Sequence, residues 1–174
     1  MGTYKEVDGD LIDLAEQGQF DIVAHGCNCF CTMGAGIAPQ MARAFECDRF
    51  KLEALCYRGD INKLGQIDYG KAKLSVERSP VKAFLTVINC YTQFGPGYSH
   101  RVGATHPLSY PALIMCLQKI NHRFKGQHIG LPQIGCGLAK GNWNDVKKLI
   151  QDYLTDLDVT VVIYKPKQDV SNNI

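Results

Sequence analysis

The stretch "HGCNCFCTMGAGIA", His25 to Ala38, sets three cysteines at alternate positions beside a histidine, an asparagine and a Gly-Ala-Gly run. It follows the short apolar segment Asp21–His25 ("DIVAH") and leads into a segment with Ile37, Met41, Ala44 and Phe45 at helical spacing. The local order is therefore strand, loop, helix. Three chemistries are open to such a stretch: a metal site, a nucleophilic thiol, or a loop that holds an anion. Structural zinc sites favour C-x2-4-C pairs, whereas Cys27, Cys29 and Cys31 are spaced C-x-C-x-C, and no CxxC or HxxxH occurs elsewhere. A nucleophilic thiol needs a base, and His25 lies two residues from Cys27, a spacing that points both the same way on a strand.

The anion reading accounts for more residues at once. Gly34 and Gly36 let a ligand approach the backbone, and the following helix directs unpaired N–H groups toward it. A second copy of the arrangement occurs in "LPQIGCGLAKGNW", where Gly135, Cys136, Gly137 and Leu138 leave the strand His128–Pro132 and precede a helix. Two such loops at the carboxyl edge of a sheet can clasp a diphosphate from both sides. Neither carries the GK[ST] lysine of a nucleotide-triphosphate loop.

The rest of the chain alternates in the same way. Strands are expected at Thr3–Val7, at two short runs within Gln66–Val76 meeting at Gly70, at Ala83–Tyr91 and at Val159–Tyr164. Helices are expected at Asp10–Gln17, Ala35–Phe45, Asp48–Arg58, Ser109–Phe124 and Trp143–Leu157. Thr92–Pro107 reads as the longest irregular piece. Alternating strands and helices give an α/β layer fold with a largely parallel sheet. One domain over residues 1–165 is expected, with a polar tail at 166–174.

The 174 residues can bury a full core, and 45% hydrophobic with 21% charged residues is ordinary for a globular chain. A net charge of +2 argues against a strongly basic nucleic-acid binder. The polar start "MGTYKEVDGDL" reads as carrying no export signal, so the eight cysteines are expected as reduced thiols in a cytoplasmic protein. No residue pattern calls for a metal or cofactor, and a monomer is favoured.

"GDL" (Gly9–Leu11), "HGCNCFCTMGAGIA", "NCYTQFG" (Asn89–Gly95) and "LPQIGCGLAKGNW", taken in this order, resemble the macrodomains, which bind ADP-ribose; the resemblance spans about residues 3–164. It implies a three-layer α/β fold, a central mixed and mostly parallel sheet of about six strands with helices on both faces. By motif position it implies that Asp10 accepts from the adenine amino group, with the Leu11 backbone beside it. Asn28 would meet the distal ribose. Gly34, Ala35, Gly36 and Ile37, with Gly135, Cys136, Gly137 and Leu138, would hold the diphosphate. Gln93 and Phe94 are taken as ligand-facing, although Tyr91 and Phe94 can equally be core plugs.

Each assignment has a plainer counterpart. Asp10 can be only a helix cap, Asn28 only a turn former, and Trp143 only a packed residue at a helix start. His100 and His106 read as loop residues without chemistry.

The "HxCNC…GxGIA" form most resembles stand-alone ADP-ribose 1″-phosphate phosphatases, and "PQIGCGL" also resembles macrodomains that remove ADP-ribose from macromolecules. The latter use a strand-end lysine and an aspartate after "IGCGL"; this chain has Gln93 and Ala139 there, and Ala38 where another hydrolase class has aspartate. The expected activity is therefore hydrolysis of ADP-ribose 1″-phosphate, with His25 as acid/base and Asn28 positioning the ribose. De-ADP-ribosylation of protein or nucleic acid, and non-catalytic reading of ADP-ribose, are the alternatives.

Overall fold

The computed structural model describes residues 1–54, 57–96 and 107–166. Six strands form one sheet: β1 (Tyr4–Gly9), β2 (Ile22–Asn28), β3 (Ile67–Lys73), β4 (Phe84–Gln93), β5 (His128–Leu131) and β6 (Asp158–Tyr164). Their order across the sheet is β1-β6-β5-β2-β4-β3. Every pairing is parallel except the edge pair β3–β4.

Side chains alternate across this sheet and feed two cores. On one face Ile22, Ala24, Ile88, Ile129 and Val161 pack against Leu113, Leu117 and Ile120 of α4 (Tyr110–Arg123) and Val146 and Ile150 of α5 (Trp143–Tyr153). On the other, Val23, Leu85, Val87 and Val162 meet Leu11 and Ala15 of α1 (Leu11–Glu16) and Met41 and Phe45 of α2 (Ala38–Phe45). Helices thus cover both faces of a mixed, mostly parallel sheet, as expected.

Three local expectations change. The run Gln66–Val76 contributes one strand, not two: Gly70 sits inside β3, where an added Cβ would lie 2.6 Å from the Phe50 ring, so this glycine serves a close approach. In place of a helix at Asp48–Arg58 there is a single 3₁₀ turn, Cys47–Arg49, and one helical turn, α3 (Lys51–Ala54), because Phe50 is extended between them. Leu55 and Cys56 lie outside the described residues, as do His100, His106 and positions 167–174 of the expected tail. The helix expected from Ala35 begins at Ala38, since Gly36 takes φ +65° and keeps the glycine run a loop.

Ile88 is fully buried on β4, which is paired on both sides. Ile88→Ala should lower the unfolding free energy by about 2–5 kcal/mol in urea denaturation, the range for a truncated core aliphatic.

Candidate functional site

The loops after β2 and β5 leave the same edge of the sheet and enclose a crevice with two connected parts. One, of about 310 Å³, is lined by Asn28, Thr92, Gln93, Gly34–Ile37 and the backbone around Gly135, Gly137 and Leu138. The other, of about 540 Å³, is lined by Asp10, Leu11, Gln40, Cys136, Trp143 and Tyr164. Gly36, Ile37, Pro132, Gln133 and Gly137 border both, so the two parts meet between the glycine loops.

The loops present backbone to this space. At Gly34, Gly36 and Gly137 an added Cβ would meet nothing within 4 Å. The α2 helix that follows the first loop has Ile37 at its N-cap with no side-chain cap bond and Pro39, which has no N–H, in its first turn, so the Ile37 and Ala38 N–H groups and the positive end of the dipole favour an anion there. The second loop is braced from behind. Gly141 N–H donates to Gly135 O at 2.7 Å, and Leu108 N–H donates to Ala139 O at 3.1 Å.

Asp10 caps α1: its Oδ1 accepts from Ile12 N–H (2.9 Å) and Asp13 N–H (3.1 Å). It therefore has the capping role and also borders the crevice. Asn28 likewise has two connections. Its amide knits the loop, donating to Thr32 O (2.9 Å) and accepting from Phe30 N–H (3.0 Å), while the residue lines the 310 Å³ part. Gln93 lines the same part, with Nε2 donating to Gly95 O at 2.7 Å.

Two expected residues are placed elsewhere. Phe94 is not on the crevice wall; its ring packs edge-on against Phe30, centroids 5.3 Å apart. His25 is fully buried on the α2 side of the sheet, and it lines neither part. Its Nε2 lies 2.7 Å from Asn89 Oδ1, and Asn89 Nδ2 donates to Cys47 O at 2.9 Å. With the Asn89 amide so oriented, Nε2–H is the donor and Nδ1 carries the lone pair. Burial pushes the ring pKa down to about 4, against the opposing pull of Asn89. A neutral imidazole held this way is no acid/base for the crevice, and the expected catalytic role of His25 is withdrawn.

The thiols do not replace it. Burial, followed by the charge of Glu53, raises Cys27 well above its ordinary value, and burial raises Cys136 to about 11. Both are protonated at neutral pH and make poor nucleophiles. Among the described residues no three His, Cys, Asp or Glu side chains gather as a metal site.

Several lining residues were not singled out as ligand-facing in the sequence. Pro132 and Gln133 line both parts of the crevice, immediately before the glycines of "IGCGL". Trp143 both lines the crevice and packs on the core. Thr92 is fully buried on the crevice wall, and its Oγ1 has no hydrogen-bond partner among the described residues; a threonine ending a strand gave no sequence signal.

No family model matches the sequence. It is 32% identical over 170 residues to an uncharacterized 17.5 kDa protein from the tk–vs intergenic region of Enterobacteria phage T4, covering 93% of this chain and 97% of that one. Among solved structures it is similar to the macrodomain of Thermus aquaticus DarG, at 24% identity and TM-score 0.61 over 95% of this chain and 100% of the other. It is also similar to Thermosipho africanus DarTG in complex with ADP-ribose, at 18% identity and TM-score 0.68 over 97% of this chain and 43% of the other. The chain belongs to one family with the phage T4 protein, and its fold is that of the macrodomains.

Two outcomes follow from this geometry. Asp10→Ala should destabilise the protein by about 1 kcal/mol through loss of the cap, whereas Asp10→Asn, also a good cap, should not; thermal denaturation separates them. For His25 the folded pKa of about 4 lies below the unfolded value of about 6.5. The unfolded chain then binds more protons between these values, so stability should fall as pH drops from about 6.5 to about 4 and be indifferent to this group above that window. An NMR titration should find the His25 ring neutral down to about pH 4–5.

Proposed function

We propose that the crevice binds ADP-ribose, with the diphosphate between the two glycine loops, adenine toward Asp10 and Trp143, and the distal ribose toward Asn28 and Gln93. The observation that supports this most is the continuity of the two parts across Gly36 and Gly137, which gives one elongated site with a glycine-lined waist. An elongated ligand with a central diphosphate matches that shape and charge. The DarTG neighbour of the same fold is in complex with ADP-ribose.

The activity we propose is hydrolysis of ADP-ribose 1″-phosphate to ADP-ribose and phosphate. Transfer of a phosphoryl group to water depends mainly on positioning and on stabilising spread negative charge, with little covalent work for the protein. The glycine-loop backbone, Asn28, Gln93 and the Thr92 hydroxyl, which has no partner among the described residues, can contribute in that way. Removing ADP-ribose from a macromolecule by a covalent route would need a nucleophile, and Gln93 and Ala139 occupy the relevant positions. A second reading, a non-catalytic reader of ADP-ribose, is favoured by the lack of any acidic, basic or histidine side chain on the 310 Å³ part among the described residues.

Calorimetry should show one site that prefers ADP-ribose to ATP. Gly137→Val should weaken ADP-ribose binding about tenfold or more, 1.4 kcal/mol or above. Its melting temperature should hold, because the new side chain enters open crevice and not packed protein. A parallel assay should find phosphate released from ADP-ribose 1″-phosphate and no ADP-ribose released from modified protein or DNA. Tight binding with no phosphate release would leave the reader; no binding at millimolar ADP-ribose would end both readings.

A further inference from the structure

A second cluster lies behind the Asn28–Ala35 loop, where neither the crevice nor the apolar cores use it. Lys63, at the end of the 3₁₀ turn Ile61–Lys63, is a lysine only 4% exposed. Its Nζ lies 2.5 Å from Cys31 Sγ and 5.6 Å from the centre of the Tyr91 ring. The Tyr91 hydroxyl donates to Glu53 Oε2 at 2.6 Å, and both residues are buried. Cys31 is half-buried and takes φ +58°, one of three non-glycine residues described in the left-handed region. Such conformations persist only where the surroundings hold them.

The Nζ–Sγ separation is the informative quantity. An N–H···O bond spans about 2.9 Å, and sulfur is the larger acceptor. Polar contacts of the other thiols here run from 3.4 Å (Cys116 Sγ to Gln66 O) to 3.9 Å (Cys47 Sγ to Met33 Sδ). At 2.5 Å the Lys63–Cys31 pair is too close for a hydrogen bond and too far for a direct S–N bond. Two single bonds of about 1.5 Å meeting near 111° span about 2.5 Å, which is the span of one bridging atom.

We propose that Cys31 and Lys63 form an oxidative modification site, in which the thiol sulfur and the ε-nitrogen become joined through one oxygen as an N–O–S bridge. The co-reactant is a peroxide, small enough to reach half-exposed Cys31. Burial raises the Cys31 thiol and the Lys63 contact opposes that rise; one peroxide converts its thiolate fraction, with a proton, to a sulfenic acid and water. A second converts the amine to a hydroxylamine and water. The hydroxylamine oxygen attacks the sulfenyl sulfur, forming the S–O bond. The sulfur's own hydroxyl leaves and takes the hydroxylamine O–H proton, giving a third water. Sulfur and nitrogen each lose two electrons, and both peroxide O–O bonds are reduced. Four equivalents of added thiol, oxidised to two disulfides, reverse the change to thiol, amine and water. The bridge staples the loop that carries Asn28 to the Ile61–Lys63 turn, and it does not depend on what the crevice binds.

The full chain, treated with hydrogen peroxide and digested without reductant, should yield a linked peptide pair containing Cys31 and Lys63. Its mass should be the sum of the two peptides plus one oxygen less two hydrogens. Dithiothreitol should return both unmodified peptides, and C31S and K63R should each abolish the pair. A linked pair lacking the oxygen would overturn the proposal. So would a Cys31 that proceeds only to sulfinic or sulfonic acid while Lys63 stays unmodified. The mass is read on the unaltered protein, so the result stands even if a variant does not fold.

Discussion

Parallel pairing of β5 with β2 on one side and β6 on the other is the constraint from which the site follows. Parallel neighbours end at the same edge, so the loops after β2 and β5 must face each other. The pairing is also brief. β2 meets β5 only at Ile22–Ile129 and Val23–Gly130, yet β2 continues to Asn28 alongside β4. Beyond Val23 the two strands no longer share hydrogen bonds, and the crevice opens in the gap between them, with Gly26 and Ile134 on its walls. The apolar cores close the sheet on both faces; the short ladder opens it at one edge.

Glycines in the second loop divide by what surrounds them. At Gly135 and Gly141 an added Cβ would come within 2.7 and 2.5 Å of the Leu108 side chain, so packing behind the loop excludes a larger residue. At Gly137 the same addition meets empty space. Fold and packing therefore account for the first two, while no packing contact accounts for the missing side chain at Gly137, which borders both parts of the crevice. That asymmetry is a physical reason to assign a ligand to this loop, over and above its strand-to-helix setting.

Much of this was legible in the sequence because punctuation and periodicity carry it. Apolar runs at β2, β4, β5 and β6 and glycine runs after two of them suffice for a parallel sheet and an edge site. What failed depended on contacts distant in the chain. His25 is three residues from Asn28 in sequence, but its partner is Asn89, 64 residues away, on the face opposite α4 and α5. Nothing in "HGCNC" announces that partner. Phe94 follows the same rule: of the two roles open to it in the sequence, Phe30 fixes its ring in a packing contact. Gly70 was read as a turn because a glycine between β-formers usually is one; only the Phe50 ring, brought over by the broken helix at Phe50, explains it as a close approach.

The buried His25–Asn89–Cys47 chain bears on the chemistry by removing a candidate from it. It ties β2, β4 and the 3₁₀ turn Cys47–Arg49 together with a neutral ring, whose charged form burial disfavours. A proton donor locked beneath the sheet cannot follow charge developing at the ligand. Among the described residues the 310 Å³ part of the crevice offers polar side chains and fixed backbone dipoles, and dipoles already in place need little reorganisation. Fixed dipoles favour reactions in which negative charge spreads over oxygens, as it does in phosphoryl transfer. The same wall would hold ADP-ribose itself about as well as its phosphate ester, and equal hold on ground and transition states gives binding without acceleration. On the proposed reading, the balance between enzyme and reader turns on whether the groups at this wall bear more strongly on the departing phosphoryl oxygens than on the resting ester.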